Sequence, residues 1–140
     1  MYYGAIKKSD VANGEGIRTT IFVSGCRNRC KNCFQPETWA FDYGRPFDDA
    51  AKEELFSSFK NPVVRGLTVL GGEPMEPENQ VGLLPLLREF KERFPDKTVW
   101  LYTCKFSSGY ATISRPEGVR RNALRAMCPK SPHSEDETRA

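Results

Sequence analysis

The chain has 140 residues, of which 39% are hydrophobic and 28% charged, so a single globular domain of ordinary composition is expected. It carries no basic-then-apolar signal peptide and no apolar run of the roughly 18 residues that a membrane span requires. We therefore expect a cytoplasmic protein with no membrane partner. Residues 104–140 supply the whole net charge of +3, and because no aromatic residues interleave this basic excess, we expect no nucleic-acid partner.

Three short segments predict buried strands. Residues 19–23 are β-branched and aromatic, and residues 66–70 and 98–103 have a similar composition. The segment between the first and second of these strands and the segment between the second and third both contain a stretch with helical character. Strands that alternate with helices pair in parallel through right-handed crossovers, so the pattern predicts an α/β fold with a parallel sheet.

Two helices are expected between these strands. Asp48 or Asp49 would cap the first helix, with Leu55, Phe56 and Phe59 on its inner side. The second is predicted over residues 78–94, and Pro85 is expected to kink it or shift its start. Helical spacing assigns its inner face to Val81, Leu84, Leu87, Phe90 and Phe94.

A cysteine loop directly follows the first of these strands. Cys26, Cys30 and Cys33 lie within eight residues, and thiolates are the preferred ligands of soft metals and iron–sulfur clusters. A closed structural zinc site needs four protein ligands, whereas a cubane cluster held by three leaves one iron open. The alternatives are a zinc site completed by Cys104, Cys128 or His133, and a closed electron-transfer cluster with a remote fourth cysteine. Five cysteines with no export signal argue against a disulfide framework.

A glycine turn follows the strand at residues 66–70. Gly71 and Gly72 allow the backbone to approach a ligand closely, and Glu73 and Pro74 complete the turn. Ligands of parallel α/β sheets bind at the carboxyl ends of the strands. The cysteine loop, this turn and Thr103 all lie at such ends, and we therefore expect them to form one site.

Two further features have both a structural and a functional interpretation. Residues 13–18 form a glycine turn that either connects two strands or lines the mouth of the site, with Arg18 facing an anion or a partner. Trp39 and Tyr43 are either core rings or a platform for a docking peptide.

The triad Cys26, Cys30 and Cys33 with Gly71-Gly72-Glu73-Pro74 resembles the radical S-adenosylmethionine superfamily. Residues 3–4, 12–18, 22–26, 33–39, 70–74, 77–80 and 83–87 carry a narrower resemblance to its glycyl-radical activases, in particular those acting on anaerobic ribonucleoside-triphosphate reductase. The resemblance covers residues 1–103. It implies a partial parallel (β/α) half-barrel as the fold.

The resemblance also implies the cofactors and the reaction. The three cysteines would hold a 4Fe-4S cluster whose open iron chelates the amino and carboxylate groups of S-adenosylmethionine. An electron from a small low-potential donor such as flavodoxin would release methionine and a 5′-deoxyadenosyl radical. That radical would take a hydrogen atom from a glycine in the large subunit of anaerobic ribonucleoside-triphosphate reductase. No catalytic side chain is implied beyond the cluster ligands.

The implied cofactor-binding residues are Gly71, Gly72, Glu73, Pro74, Asn32 and Thr103, with the glycine turn contacting the methionyl amino group. Two neighbouring functions are alternatives: activation of another glycyl-radical enzyme of the pyruvate formate-lyase type, and a metal- or cluster-binding module without catalysis. The short chain, which has no inserted ferredoxin-like cluster, favours the reductase.

The sequence departs from the family pattern at three places. Asn32 stands where much of the superfamily has an aromatic residue near the adenine, and Cys104 stands where glycine is expected. From Cys104 onward the family resemblance ends. Residues 104–140 are therefore expected to be a divergent, frameshifted or truncated tail, largely disordered, which leaves the sheet without its last strands.

Overall fold

The computed structural model describes residues 1–105, which form one open sheet with two α-helices. The predicted α/β class is confirmed. Short 3-10 helices at Pro36–Trp39 and Ser58–Lys60 complete the secondary structure of this range. In chain order the elements are β1 (Tyr2–Asp10), β2 (Ile17–Val23), β3 (Arg45–Pro46), α1 (Asp49–Ser57), β4 (Val64–Gly71), α2 (Pro77–Arg93) and β5 (Thr98–Leu101).

The sheet is mixed, with the strand order β3-β1-β2-β4-β5. The three strands predicted from sequence, β2, β4 and β5, pair in parallel as expected. Strand β1 was not predicted, and it pairs antiparallel with both β2 and β3. Its residues, YYGAIKKSD, mix aromatic, small and charged side chains and are mostly exposed, so they lack the apolar run that marks a buried strand. The predicted parallel part of the sheet is thus confirmed, and β1 and β3 extend it by antiparallel pairing.

Both helices cover one face of the sheet. Ile21 of β2 and Leu67 and Val69 of β4 point toward them and are fully buried. Phe59 and Phe90 pack edge to face with ring centroids 4.8 Å apart, which joins the end of α1 to α2. The Asp48 carboxylate accepts from the Ala51 amide at 2.9 Å and so caps α1 as predicted.

The inner face of α2 differs from the prediction. The buried residues are Asn79, Leu83, Leu86 and Phe90, whereas Val81 and Leu84 are 79% and 40% exposed. The helix also runs without interruption through Pro85, starting at Pro77 in the N-terminal position that proline tolerates. Phe90 was predicted correctly, and Leu87 and Phe94 are partly buried against the core. The prediction is wrong for Val81 and Leu84 because two apolar stripes are available on this helix, and the buried one includes a polar residue, Asn79, that the periodicity did not count.

Two expectations concern membrane spans and the C-terminal residues. Among residues 1–105, no helix is long and apolar enough to cross a membrane. The predicted disordered tail and the residues Cys128 and His133 lie outside the described residues, except for Cys104 and Lys105.

Candidate metal and cofactor site

The carboxyl ends of β2 and β4 bring the cysteine loop and the glycine turn into direct contact. The Gly72 amide donates to the Val23 carbonyl at 2.7 Å, and the Glu73 amide donates to the Gly25 carbonyl at 2.9 Å. The approach is close: a Cβ atom at Gly72 would lie 2.6 Å from the Gly25 carbonyl oxygen. Glycine is therefore required at Gly72 because another backbone passes there, which is the close approach predicted from sequence, made here to the cysteine loop.

The cysteine loop itself lies largely at the surface. Its start is fixed by the Cys26 amide, which donates to the Trp39 carbonyl at 3.1 Å, and the Cys33 amide donates to the Cys30 carbonyl at 3.1 Å. Cys30 is exposed, and Cys26 and Cys33 are partly buried. Within residues 1–105, no three Cys, His, Asp or Glu side chains converge in the arrangement of a metal site. The fold therefore brings the three cysteines onto one loop without gathering their thiols at one point.

The chemistry of Cys26 fits a cluster ligand. Burial raises the pKa of its thiol, and hydrogen bonds from the backbone of Asn28 and Arg29 oppose that rise. Backbone N–H groups directed at sulfur stabilise a thiolate and tune the potential of an iron–sulfur cluster. The loop thus offers three thiol ligands within eight residues, and the sulfur of Cys26 already accepts hydrogen bonds from backbone amides. This set of ligands suits a 4Fe-4S cluster.

Glu73, predicted to bind the cofactor, is 2% exposed, and its carboxylate accepts hydrogen bonds from the cysteine loop and from the residues after β5. Its Oε1 accepts from the Met75 amide at 2.9 Å and from the Thr103 hydroxyl. Its Oε2 accepts from the Cys104 amide at 2.9 Å and from the Asn28 side-chain amide at 3.3 Å. The carboxylate thus joins the cysteine loop to the end of β5.

A second buried carboxylate, Glu76, was missed by the sequence analysis. It is 1% exposed, and its Oε1 accepts from the Arg27 amide at 3.0 Å. Its Oε2 lies 2.8 Å from Arg27 Nη1 and 3.0 Å from Lys105 Nζ. Burial opposes ionisation of Glu76, but these donors outweigh it and lower its pKa. Arg27 also pairs with Glu78 and lies over the Phe41 ring, 4.5 Å from its centroid.

Asn79 fastens the glycine turn to the cysteine loop from beneath. Its side-chain amide donates to the Ser24 carbonyl at 2.9 Å and to the Glu73 carbonyl at 3.0 Å. It is 1% exposed and lies one helical turn before Leu83 on the buried face of α2. A polar residue on an apolar helical face was the signal in the sequence, because a buried amide must find partners.

The remaining predicted site residues take different environments. Thr103 and Pro74 are buried beside Glu73, while Gly71 is exposed with a φ of +114°, a conformation that favours glycine. Asn32 is exposed on the cysteine loop. The six predicted cofactor-binding residues therefore share one edge of the sheet, but only some of them face solvent, where a ligand would enter.

Arg18 does not face an anion or a partner. It is 1% exposed and donates to Thr68 Oγ1 at 2.7 Å, Thr98 Oγ1 at 2.9 Å and the Leu67 carbonyl at 2.8 Å. It lies near the amino end of β2, a strand of seven residues that separates it by about 20 Å from the cysteine loop. The interpretation of residues 13–18 as the mouth of the site is therefore wrong. They are a connection between β1 and β2 that covers the face of the sheet opposite the helices.

A cleft of about 310 Å³ lies behind the glycine turn. None of the three cysteines lines it, although Phe41 and Glu78 contact Arg27 of the cysteine loop. Its lining residues are Met1, Tyr2, Phe41, Asp42, Glu78 and Asn79.

Comparison with known proteins agrees with this site. Residues 12–115 match a family model described as a 4Fe-4S single cluster domain. An anaerobic ribonucleoside-triphosphate reductase-activating protein of Pasteurella multocida is 38% identical over 105 residues, covering 74% of this chain and 66% of the relative. The protein of that name from Haemophilus influenzae is 40% identical, with 74% and 68% covered, and the one from Enterobacteria phage T4 is 37% identical, with 74% and 66% covered.

The match to the family model places the chain in a class of protein: it carries a single-cluster iron–sulfur domain. It belongs to the family of anaerobic ribonucleoside-triphosphate reductase-activating proteins. The chain spans about two thirds of the length of the curated relatives it matches.

Proposed function

We propose that this chain is a radical S-adenosylmethionine enzyme that activates anaerobic ribonucleoside-triphosphate reductase by forming a glycyl radical on its large subunit. The observation that carries the proposal is the junction of the cysteine loop with the glycine turn, where the Glu73 amide donates to the Gly25 carbonyl at 2.9 Å. Three thiols and a glycine turn at one sheet edge provide for a cluster and for a ligand beside it. The names of the relatives support the choice of partner.

In this proposal the thiols of Cys26, Cys30 and Cys33 would hold a 4Fe-4S cluster whose open iron binds S-adenosylmethionine. Such a cluster, once bound and reduced, would supply the one electron needed for reductive cleavage of the sulfonium. We place the turn at Gly71 and Gly72 beside the methionyl group, and because neither glycine has a side chain, the turn packs directly against the backbone at Val23 and Gly25. The protein contributes orientation and exclusion of water.

The proposed role requires further components. A small low-potential protein such as flavodoxin would supply the electron, and it would dock where the cysteine loop is exposed, near Cys30. We propose that residues 1–103 form the unit that carries the site, and that the protein acts in the cytoplasm.

The first test is anaerobic reconstitution with iron and sulfide. We expect the wild-type chain to bind iron and sulfide in equal amounts, and the magnetic spectrum of the reduced cluster to change when S-adenosylmethionine is added. Separate substitutions of Cys26, Cys30 and Cys33 by Ser should each abolish the cluster, since each thiolate is one of only three protein ligands. The matched controls Cys104→Ser and Cys128→Ser should retain it.

The outcomes separate the alternatives. Loss of metal in Cys104→Ser or Cys128→Ser would instead indicate a four-ligand module without an open iron. A spectrum that does not change with S-adenosylmethionine would refute the enzyme. A glycyl radical formed on a formate-lyase type enzyme, but not on the reductase, would support the neighbouring activase.

A further inference from the structure

Two buried carboxylates on the turn between β4 and α2 have partners on both sides of the site. Glu73 contacts Asn28 of the cysteine loop on one side, and Thr103 and Cys104 after β5 on the other. Glu76 contacts Arg27 on the first side and Lys105 on the second. These contacts join the loop after β2 to the segment after β5, across the intervening strand β4.

Glu73 has little capacity left for a ligand. An ionised carboxylate has about four acceptor positions, and four donors already occupy them: two main-chain amides, one hydroxyl and one side-chain amide. The side chain is also 2% exposed. A cofactor ammonium group would have to displace one of these donors, two of which are backbone amides at 2.9 Å.

Glu76 has an equally complete set of partners. Its two oxygens accept from the Arg27 amide, the Arg27 guanidinium and the Lys105 ammonium group at 2.8 to 3.0 Å. A buried carboxylate needs such donors, because desolvation would otherwise neutralise it. The cysteine loop and the segment after β5 therefore supply the donors that keep the two carboxylates ionised, and the carboxylates in turn hold these two segments in place.

We infer that Glu73 and Glu76 are positioning residues that form a carboxylate brace, which fixes the cysteine loop against the segment after β5, and that Glu73 does not itself bind the cofactor. The part of this inference that concerns the cofactor rests on the proposed function. The brace sets the distance between the cluster ligands and the end of β5, across the space in which S-adenosylmethionine would lie. It also corrects the expected role of Glu73 in the glycine turn.

The first experiment measures amide hydrogen exchange in the full chain without a cluster, with Thr103→Val as the test variant and Thr103→Ser as its matched control. Valine removes the hydroxyl that donates to Glu73 but leaves the carboxylate in place. We expect exchange to become about tenfold faster at Cys104 and also in the cysteine loop, around Arg27 and Asn28. Serine keeps the donor and should preserve wild-type exchange in both segments.

Glu73→Gln should accelerate exchange in both segments at least as much. Glu54→Gln is its control, since Glu54 is 45% exposed on α1 and forms its ion pair with Lys8 of β1. It should leave exchange at Cys104 unchanged. Faster exchange confined to Cys104 in Thr103→Val, with the cysteine loop unaffected, would overturn the brace. This result does not depend on any cluster or cofactor.

The second experiment measures S-adenosylmethionine binding by the reconstituted protein, at equal cluster content, in a double-mutant cycle of Glu73→Gln and Thr103→Val. The brace predicts that each variant binds about tenfold more weakly and that the double variant is no weaker than Glu73→Gln alone, because both remove one linkage. Additive losses would assign separate cofactor contacts to the two residues and overturn the inference. Failure of the wild-type protein to bind S-adenosylmethionine would refute the proposed function and leave the exchange result to decide the brace.

Discussion

Replacement of Arg18 by methionine tests the main long-range polar contact of the sheet. Methionine keeps the length of the apolar stem but removes all five donors of the guanidinium. In the wild-type chain these donors reach Thr68 Oγ1, Thr98 Oγ1 and the carbonyl groups of Leu67 and Thr98, at distances of 2.7 to 3.2 Å. Burial lowers the pKa of Arg18 to about 10, so the group is still a cation at neutral pH.

The expected loss follows from these contacts. The fifth hydrogen bond, to the Glu15 carbonyl at 3.4 Å, is long and adds little. The four shorter ones at about 1 kcal/mol each, less about 1 kcal/mol for the desolvation that the variant no longer suffers, give about 3 kcal/mol. The loss should fall on the pairing of β2, β4 and β5, because Arg18 spans all three strands at their amino ends. Arg18→Lys keeps the charge but not the planar fork, and it should recover less than half of the loss.

Urea unfolding is the assay, followed by circular dichroism and by the fluorescence of Trp100, whose ring centroid lies 5.3 Å from the guanidinium carbon. Arg65→Met is the matched control on β4, since Arg65 is exposed, and it should change the free energy of unfolding by less than about 0.5 kcal/mol. A loss below about 1 kcal/mol for Arg18→Met would refute the reasoning, as would an equal loss for the control.

Two other predictions concern buried contacts elsewhere in the sheet. Burial opposes ionisation of Asp10, but hydrogen bonds from Thr20 and Asn13 outweigh it and lower its pKa from 3.8 to about 2. The stabilisation by Asp10 is therefore complete above about pH 4 and is lost as the pH falls toward 2. In urea titrations near neutral pH, wild type should be about 2 kcal/mol more stable than Asp10→Asn, and this difference should shrink between pH 4 and pH 2. A stability difference that does not depend on pH would contradict the prediction. Gly72→Ala places a Cβ atom 2.6 Å from the Gly25 carbonyl oxygen, and should lower thermal stability by more than about 1 kcal/mol and reduce iron uptake on reconstitution, whereas unchanged uptake would count against the close contact.

Local patterns in the sequence determined much of the fold. The β-branched runs of β2 and β4, the Asp48 cap of α1 and the apolar side of that helix depend on neighbouring residues, and each was predicted. The cysteine spacing and the glycine turn were also legible, because a short loop and a close backbone approach each require particular residue types at fixed positions. The parallel order of β2, β4 and β5 followed from the alternation of strands and helices.

Only the tertiary structure decided which polar residues are buried and what they join. Nothing local distinguishes the structural Arg18 from an anion-binding arginine, because its acceptors lie about 50 and 80 residues away in sequence. The mostly exposed β1, which has no apolar run, became a strand because β2 offered it an edge to pair with. Likewise, the brace formed by Glu73 and Glu76 depends on three strand ends meeting at one edge, and only then does a carboxylate have donors on both sides. The sequence thus determined where the cysteine loop lies, and the fold decided what fixes it there.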